Sequence, residues 1–240
     1  MLLEVCVDNT EGLRHAVAGG ADRIELCAAL ATGGLTPAPG LITFASGQTI
    51  PSYAMIRPRI GDFVFNEDDI GVMLRDIDAV RAAGLAGVAI GANRANGSLD
   101  MKVLERLVRQ AEGLGMTLHR SFDFVPDFDE ALSLAIELGF ERILTSGGAK
   151  TAPEAVDIIT GLAERADGRI SIMPGSGIVA ETVGPFLDCP AIGEVHGSCS
   201  EGTELPAGKT VSLGFSAPVL KQTSAAKVAS LKTRISAPRI

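Results

Sequence analysis

Short apolar runs alternate with amphipathic stretches along most of this chain, and the two kinds of stretch have different periods. A brief apolar or alternating run fits a strand, whereas apolar positions three and four apart fit a helix with one buried face. Leu2–Val7 reads as a first strand and Thr10–Ala18 as the helix after it, with Asp8, Asn9 or Thr10 placed to cap that helix. Gly19-Gly20 closes it, and Arg23–Ala28 is a second strand. A Gly/Pro-rich turn from Thr32 to Pro37 leads through a short helix to a third strand, Ser52–Arg57. Asp68–Ala83 is helical, Gly87–Ile90 a fourth strand, Leu99–Glu112 a helix and Thr117–Ser121 a fifth strand. The rhythm continues with helices at Asp129–Leu138, Pro153–Ala166 and Ile178–Leu187, and with strands at Arg142–Thr145, Arg169–Met173 and Glu194–His196.

Eight strands separated by helices imply parallel pairing with right-handed crossovers. Fitted into about 200 residues, they suit a closed TIM (β/α)8 barrel better than a doubly wound open sheet, the main rival. Residues 1–202 are read as the barrel of a single-domain α/β protein. Residues 203–240 are read as an irregular tail that packs on the barrel or on a neighbour, since Val211–Ile240 shows no clear helical periodicity.

Alternation along the strands also places the chemistry. Glu4 and Cys6 share one face of the first strand, and Glu25 and Cys27 one face of the second. If both faces point inward, two carboxylates and two thiols converge from strands about 4.8 Å apart. A charged Glu inside an aliphatic strand costs several kcal/mol unless paired, so a partner is expected. Arg57 and Arg59, at the end of the third strand, are the candidates. The carboxylates then either form a buried ion network that fixes the barrel layers or act in general acid–base work.

His119-Arg120-Ser121-Phe122-Asp123 is the strongest local signal. A histidine at a strand end can shuttle protons, and Ser121 and Asp123 follow at the spacing that keeps them on its side. Of three histidines, His119 and His196 fall at strand ends, whereas His15 is expected on a helix surface. Two glycine-rich turns, around Ser146-Gly147 and Pro174-Gly175, follow late strands, where barrels bind anions with backbone amides. With Arg57, Arg59 and Arg120 they point to a small anionic molecule. The thiols offer another reading, because soft donors favour Cu(I) or zinc over hard ions, although free cysteines also serve as small buried hydrophobes.

Composition narrows the partners. A net charge of −8 argues against nucleic acid, which needs a concentrated basic patch. The charge is uneven. Lys209, Lys221, Lys227, Lys232, Arg234 and Arg239 meet no acidic residue after position 208, which leaves −14 on the rest of the chain. Such a tail fits docking onto an acidic body better than binding a polyanion. No apolar run reaches the ~20 residues of a membrane span, and Glu4 and Asp8 interrupt the apolar start, so a cytoplasmic chain without a leader is expected. Four cysteines without a CxxC pair suggest reduced thiols. No organic cofactor is expected, and association of barrels into a homo-oligomer is.

Several segments resemble the CutC family of copper homeostasis proteins. They include Leu3–Asp8, the run from Gly19 through Cys27 to Gly33-Gly34-Leu35-Thr36-Pro37, Ile56–Arg59, His119–Asp123, Arg142–Gly148, Ile172–Gly175 and Glu194–Ser198. The resemblance implies a TIM barrel and copper handling, with Cys6 and Cys27 matching the thiols proposed to hold Cu(I). It also implies that Glu4, Glu25, Arg57, His119, Arg120 and Asp123 line a pocket. Two functions therefore stand side by side: Cu(I) binding by barrel cysteines, and an enzyme that acts on a small anion with His119, Glu4 or Glu25, and Asp123 as its acid–base groups and Arg57, Arg59, Arg120, Ser146, Gly147, Gly175 and His196 as its binding set.

Overall fold

The computed structural model describes residues 1–206 and 208–237; Arg239, at the end of the basic tail, lies outside the described residues. The strands are β1 (Leu2–Val7), β2 (Arg23–Leu26), β3 (Ser52–Met55), β4 (Gly87–Ile90), β5 (Gly115–Leu118), β6 (Arg142–Thr145), β7 (Ser171–Pro174) and β8 (Glu194–Gly197). Between them run α1 (Thr10–Ala18), α2 (Pro39–Ser46), α3 (Glu67–Ala83), α4 (Met101–Gln110), α5 (Phe128–Glu137), α6 (Val156–Ala166) and a single turn, α7 (Gly184–Leu187). The strands pair in parallel in sequence order, and β8 pairs with β1. The expected TIM barrel is present. β7 and β8 meet to complete the ring, but among the described residues no hydrogen-bonded ladder joins them.

Alternation sorts each strand. Leu3, Val5, Val7, Ile24, Leu26, Val88 and Ile90 face outward and pack against helix residues such as Leu13, Ile77 and Leu104 in one large core. The inward set is polar and irregular in size. Tyr53 lies across the interior where β4 and β5 carry Gly87 and Gly115; a Cβ at those positions would come within 2.3 Å and 2.1 Å of its ring and hydroxyl. Those glycines leave the space for the one tyrosine of the chain.

Several strands end earlier than their composition suggests. β5 stops at Leu118, and residues 120–124 form a 3-10 turn, so Ser121 and Asp123 do not continue a strand face beside His119. The seventh helix is reduced to one turn because 178–183 run as loop over the barrel rim.

The tail corrects the expectation of irregularity. β9 (Ser200–Glu204) and β10 (Val219–Thr223) form an antiparallel hairpin, with the short helix α8 (Lys209–Ser212) between them, and α9 (Ala225–Ser236) follows. Val228, Leu231 and Ile235, spaced by three and four, bury one face of α9 against the barrel. Gly19, at the end of α1, makes room for it: a Cβ there would stand 2.5 Å from the Val228 Cβ. Lys232 bonds both Asp22 oxygens at 2.6 and 2.8 Å. His15 is half-buried, and its Nδ1 lies 2.8 Å from the Thr223 carbonyl oxygen, so it ties α1 to the tail instead of standing free on the surface.

Candidate functional site

The barrel interior is built in layers. Lowest lies an ion network that joins four strands. Arg23 donates to both Glu4 and Glu194, and Arg142 reaches Glu194 at 3.4 Å, Thr117 Oγ1 at 3.0 Å and Glu141 at 3.0 Å. Both guanidinium groups lie against the Tyr53 ring, at 5.5 and 4.7 Å from its centroid. The Glu4 partner is therefore Arg23, two residues before Glu25 on the same face, and not Arg57 or Arg59. Burial works against the Glu4 charge, but His196 and Arg23 overcome it and hold the carboxyl down at about 2.

Above this floor stand Cys6, Glu25 and His196. Their ligand atoms, one from each side chain, all lie within 4.8 Å of one another. The His196 Nδ1 meets Glu4 Oε1 at 2.8 Å, which leaves Nε2 facing Glu25 Oε2 at 3.8 Å. Burial opposes a charge on His196, yet Cys6, Glu4 and Glu25 together push the imidazole well above its ordinary value. Burial pushes Glu25 upward, only partly offset by His196, and its Oε1 has no partner among the described residues. The Cys27 thiol donates to Glu25 Oε2 at 3.5 Å and sits in a buried apolar cluster with Met55 and Ala89, where burial and the Glu25 charge push its pKa well up.

The mouth is a cavity of about 320 Å³ at the C-terminal ends of the strands. Cys6, Glu25 and His196 form its base, Arg57, His119 and Arg120 its sides, and 176–179 with Gly197 and Ser198 its edge along the β7–β8 seam. Arg57 is 6% exposed, and its Nη atoms donate to the carbonyls of Thr32, Gly34 and Gly61 at 2.7–3.1 Å. Gly33 and Gly34 turn those carbonyls onto it at φ +88° and +85°, a conformation glycine adopts without strain. No carboxylate among the described residues pairs with Arg57; its Nε has no acceptor, and burial together with Arg59 lowers its pKa. Its guanidinium stacks on Phe63 at 4.9 Å, and the His119 ring meets Phe63 at 5.0 Å.

His119 is 1% exposed. Its Nδ1 accepts the Ser121 amide at 3.2 Å, which assigns the proton to Nε2, and Nε2 has no partner among the described residues. Burial and the nearby Arg57 hold this imidazole down at about 3. Gly91 makes its position possible, since a Cβ there would lie 2.1 Å from Ser121 Oγ and 2.5 Å from the His119 ring.

The other expected residues stand off the cavity. Arg59 lies at the surface, bonded to Asp69 at 2.9 Å and Asp62 at 3.0 Å. Asp123 is occupied as a scaffold: it accepts from Arg120 Nε, Thr145 Oγ1, the Ser146 amide and hydroxyl, and the Gly148 amide at 2.5–3.3 Å. Ser146 accepts from Arg120 Nη2 at 2.6 Å, and the Gly147 amide is taken by Thr145 Oγ1 at 2.8 Å, so this turn braces Arg120 instead of offering free amides. Gly175 is a close-approach position, because a Cβ would reach within 2.4 Å of Leu144, and the residues just after it line the cavity in its place. Arg23, Arg142, Glu194 and Phe63 escaped the sequence reading. Arg23 and Glu194 carried a signal, each standing two residues before a recognised inward residue.

A family model described as the CutC family matches residues 1–201. A CutC family protein of Sinorhizobium medicae (strain WSM419) is 59% identical over 237 residues, covering 99% of this chain and 97% of the relative. One from Rhizobium meliloti (strain 1021) is 57% identical over 236 residues, covering 98% and 96%. The crystal structure of CutC from Streptococcus agalactiae, proposed there as a copper homeostasis protein, superimposes with a TM-score of 0.78 at 32% identity, over 82% of this chain and 98% of that one. Most of the hairpin and all of α9 lie beyond the family model, whereas the two relatives match 99% and 98% of the chain. With the family model spanning the whole barrel, residues 1–201, and relatives at 59% and 57% identity over nearly the full chain, the chain belongs to the CutC family.

Proposed function

We propose that this chain is a (β/α)8-barrel enzyme that binds a small anion at the mouth of the barrel. The observation that carries the reading is Arg57, a buried guanidinium on the cavity wall with no carboxylate among the described residues to balance it. An uncompensated buried charge costs several kcal/mol, and a bound anion removes that cost. Arg120 on the same wall and the unpaired His119 Nε2–H add donors to the same space. Below them, in the metal-free chain, Glu25 and His196 are the groups placed to move a proton, while Glu4 orients His196. The cavity volume suits a ligand of metabolite size.

The test is thermal unfolding of the purified chain against a panel of small phosphates and carboxylates. A ligand at a hundred times its Kd stabilises by about 2.7 kcal/mol, a readily measured rise in Tm. That rise should be absent in Arg57→Met, which keeps the aliphatic packing. A panel without effect, or an equal effect in the variant, overturns the reading.

A second reading, Cu(I) handling in cytoplasmic copper homeostasis through Cys6 and Cys27, is favoured by the Cys6 thiol at the cavity base beside His196. The donors fit it incompletely, because Cys27 is held by Glu25 outside the cavity lining. Loss of stoichiometric Cu(I) binding in the Cys6→Ser, Cys27→Ser double variant is the expected result on this reading; retention rules it out.

A further inference from the structure

We infer that Cys6, Glu25 and His196 form a site for a divalent ion of borderline softness, zinc being the type case, with a fourth position open to the cavity. Three features of the cluster point to an ion. One thiol, one carboxylate and one imidazole converge within 4.8 Å, all buried, at 7%, 3% and 7% exposure. Tetrahedral zinc with bonds of about 2.0–2.3 Å holds neighbouring donors about 3.4 Å apart, so modest side-chain rotation closes the cluster. The His196–Glu25 pair already stands at 3.8 Å.

The second feature is the orientation of the imidazole. Glu4 takes Nδ1 at 2.8 Å and thereby fixes the ring with Nε2 toward Cys6 and Glu25. A carboxylate on the far nitrogen is the usual support of a metal-bound histidine; it sets the tautomer and raises ligand basicity. The third is Glu25 Oε1, a buried carboxylate oxygen with no donor. No Arg or Lys pairs with Glu25 among the described residues, whereas Glu4 and Glu194 share Arg23. One thiolate and one carboxylate balance a divalent cation, and the mixed S, N, O set suits zinc better than Cu(I), which softer all-sulfur sets favour. Three protein ligands with the fourth position open is the pattern of catalytic zinc. That position faces the space bounded by Arg57 and His119, so an anion held there would also reach the metal. This last step rests on the anion-binding reading; the metal site does not.

The experiment uses the full chain, stripped of metal and titrated with Zn2+ against a chromophoric chelator. Elemental analysis after gel filtration gives the stoichiometry. One tightly held zinc per chain is expected. Cys6→Ser, Glu25→Gln and His196→Gln should each weaken binding at least 100-fold, Glu4→Gln by about 10–100-fold, and Cys27→Ser by less than about 3-fold. Circular dichroism melts of the metal-free variants show which are folded. Cobalt substitution supplies a second readout, a thiolate charge-transfer band that is lost in Cys6→Ser and kept in Cys27→Ser. Absence of stoichiometric zinc, binding that survives Glu25→Gln and His196→Gln, or binding that requires Cys27 overturns the proposal. Anion binding measured on metal-free protein against Arg57→Met fails or succeeds separately, so the two readings fall independently.

Discussion

His119 shows how much one buried side chain can report. Its imidazole is held at about 3, against 6.5 when solvated, because burial and Arg57 both oppose the charged form. Between those values the unfolded chain takes up a proton that the folded chain refuses. The contribution of this residue to stability is therefore complete above pH 6.5 and drains away as the pH falls toward 3. Urea midpoints measured from pH 7 to pH 4 should fall more steeply for the natural chain than for His119→Gln; equal slopes would show that the ring is solvated. Gly91 is the matching constraint on the backbone side. Gly91→Ala places a methyl group where Ser121 and the His119 ring already stand, so a loss of about 1–3 kcal/mol is expected by chemical denaturation. His119 was recognisable because a histidine at a strand end is uncommon in an aliphatic barrel. The need for Gly91 was not, since a glycine in a sequence has the same appearance at a turn as at a close contact.

At the scale of elements the tail is most instructive. Val228, Leu231 and Ile235 do have helical spacing, but Ser, Thr, Ala and Lys dilute it, and no acidic residue marks the first turn. Helices this lean form through what they pack on, and α9 packs on a surface that α1 and β1 leave open. Leu231→Ala should cost about 2–5 kcal/mol, because the side chain is 1% exposed and the helix cannot collapse onto the gap. Ending the chain at residue 202 would cut through β9 and remove α9, uncovering the Gly19 region of α1. Such a truncation should bind a hydrophobic dye and lose its cooperative melt; an unchanged melt would show that the tail is dispensable.

Across the whole molecule the decisive feature is the ion network under the cavity. Arg23 holds Glu4 and Glu194, and so joins β1, β2 and β8, while Arg142 adds β6. Arg23→Gln leaves two buried carboxylates without their main counter-charge, and a loss of about 3–5 kcal/mol is expected. Lowering the pH should restore part of that loss, since a protonated carboxyl no longer needs the guanidinium. A loss that does not depend on pH would mean that packing against Tyr53, and not charge, is what Arg23 supplies. The same network holds Glu4 in place beneath His196, and so a change at the floor should be felt at the cavity base.

The linear chain by itself determined the barrel, because period-two alternation within short apolar runs and the repeat of strand and helix are local properties. It also determined that Glu4 shares a face with Cys6 and Glu25 a face with Cys27, since alternation fixes the side of a strand whatever its neighbours; that both faces turn inward was decided by the closed barrel. Tertiary structure alone decided who pairs with whom. The stagger of the strands set Arg23 against Glu4 and left Arg57 among carbonyls. The early end of β5 turned Asp123 into a brace for Arg120, and the meeting of β1, β2 and β8 brought Cys6, Glu25 and His196 together while Cys27 stayed behind Glu25. Pairing depends on register and closure around the ring, and those are properties of eight strands at once.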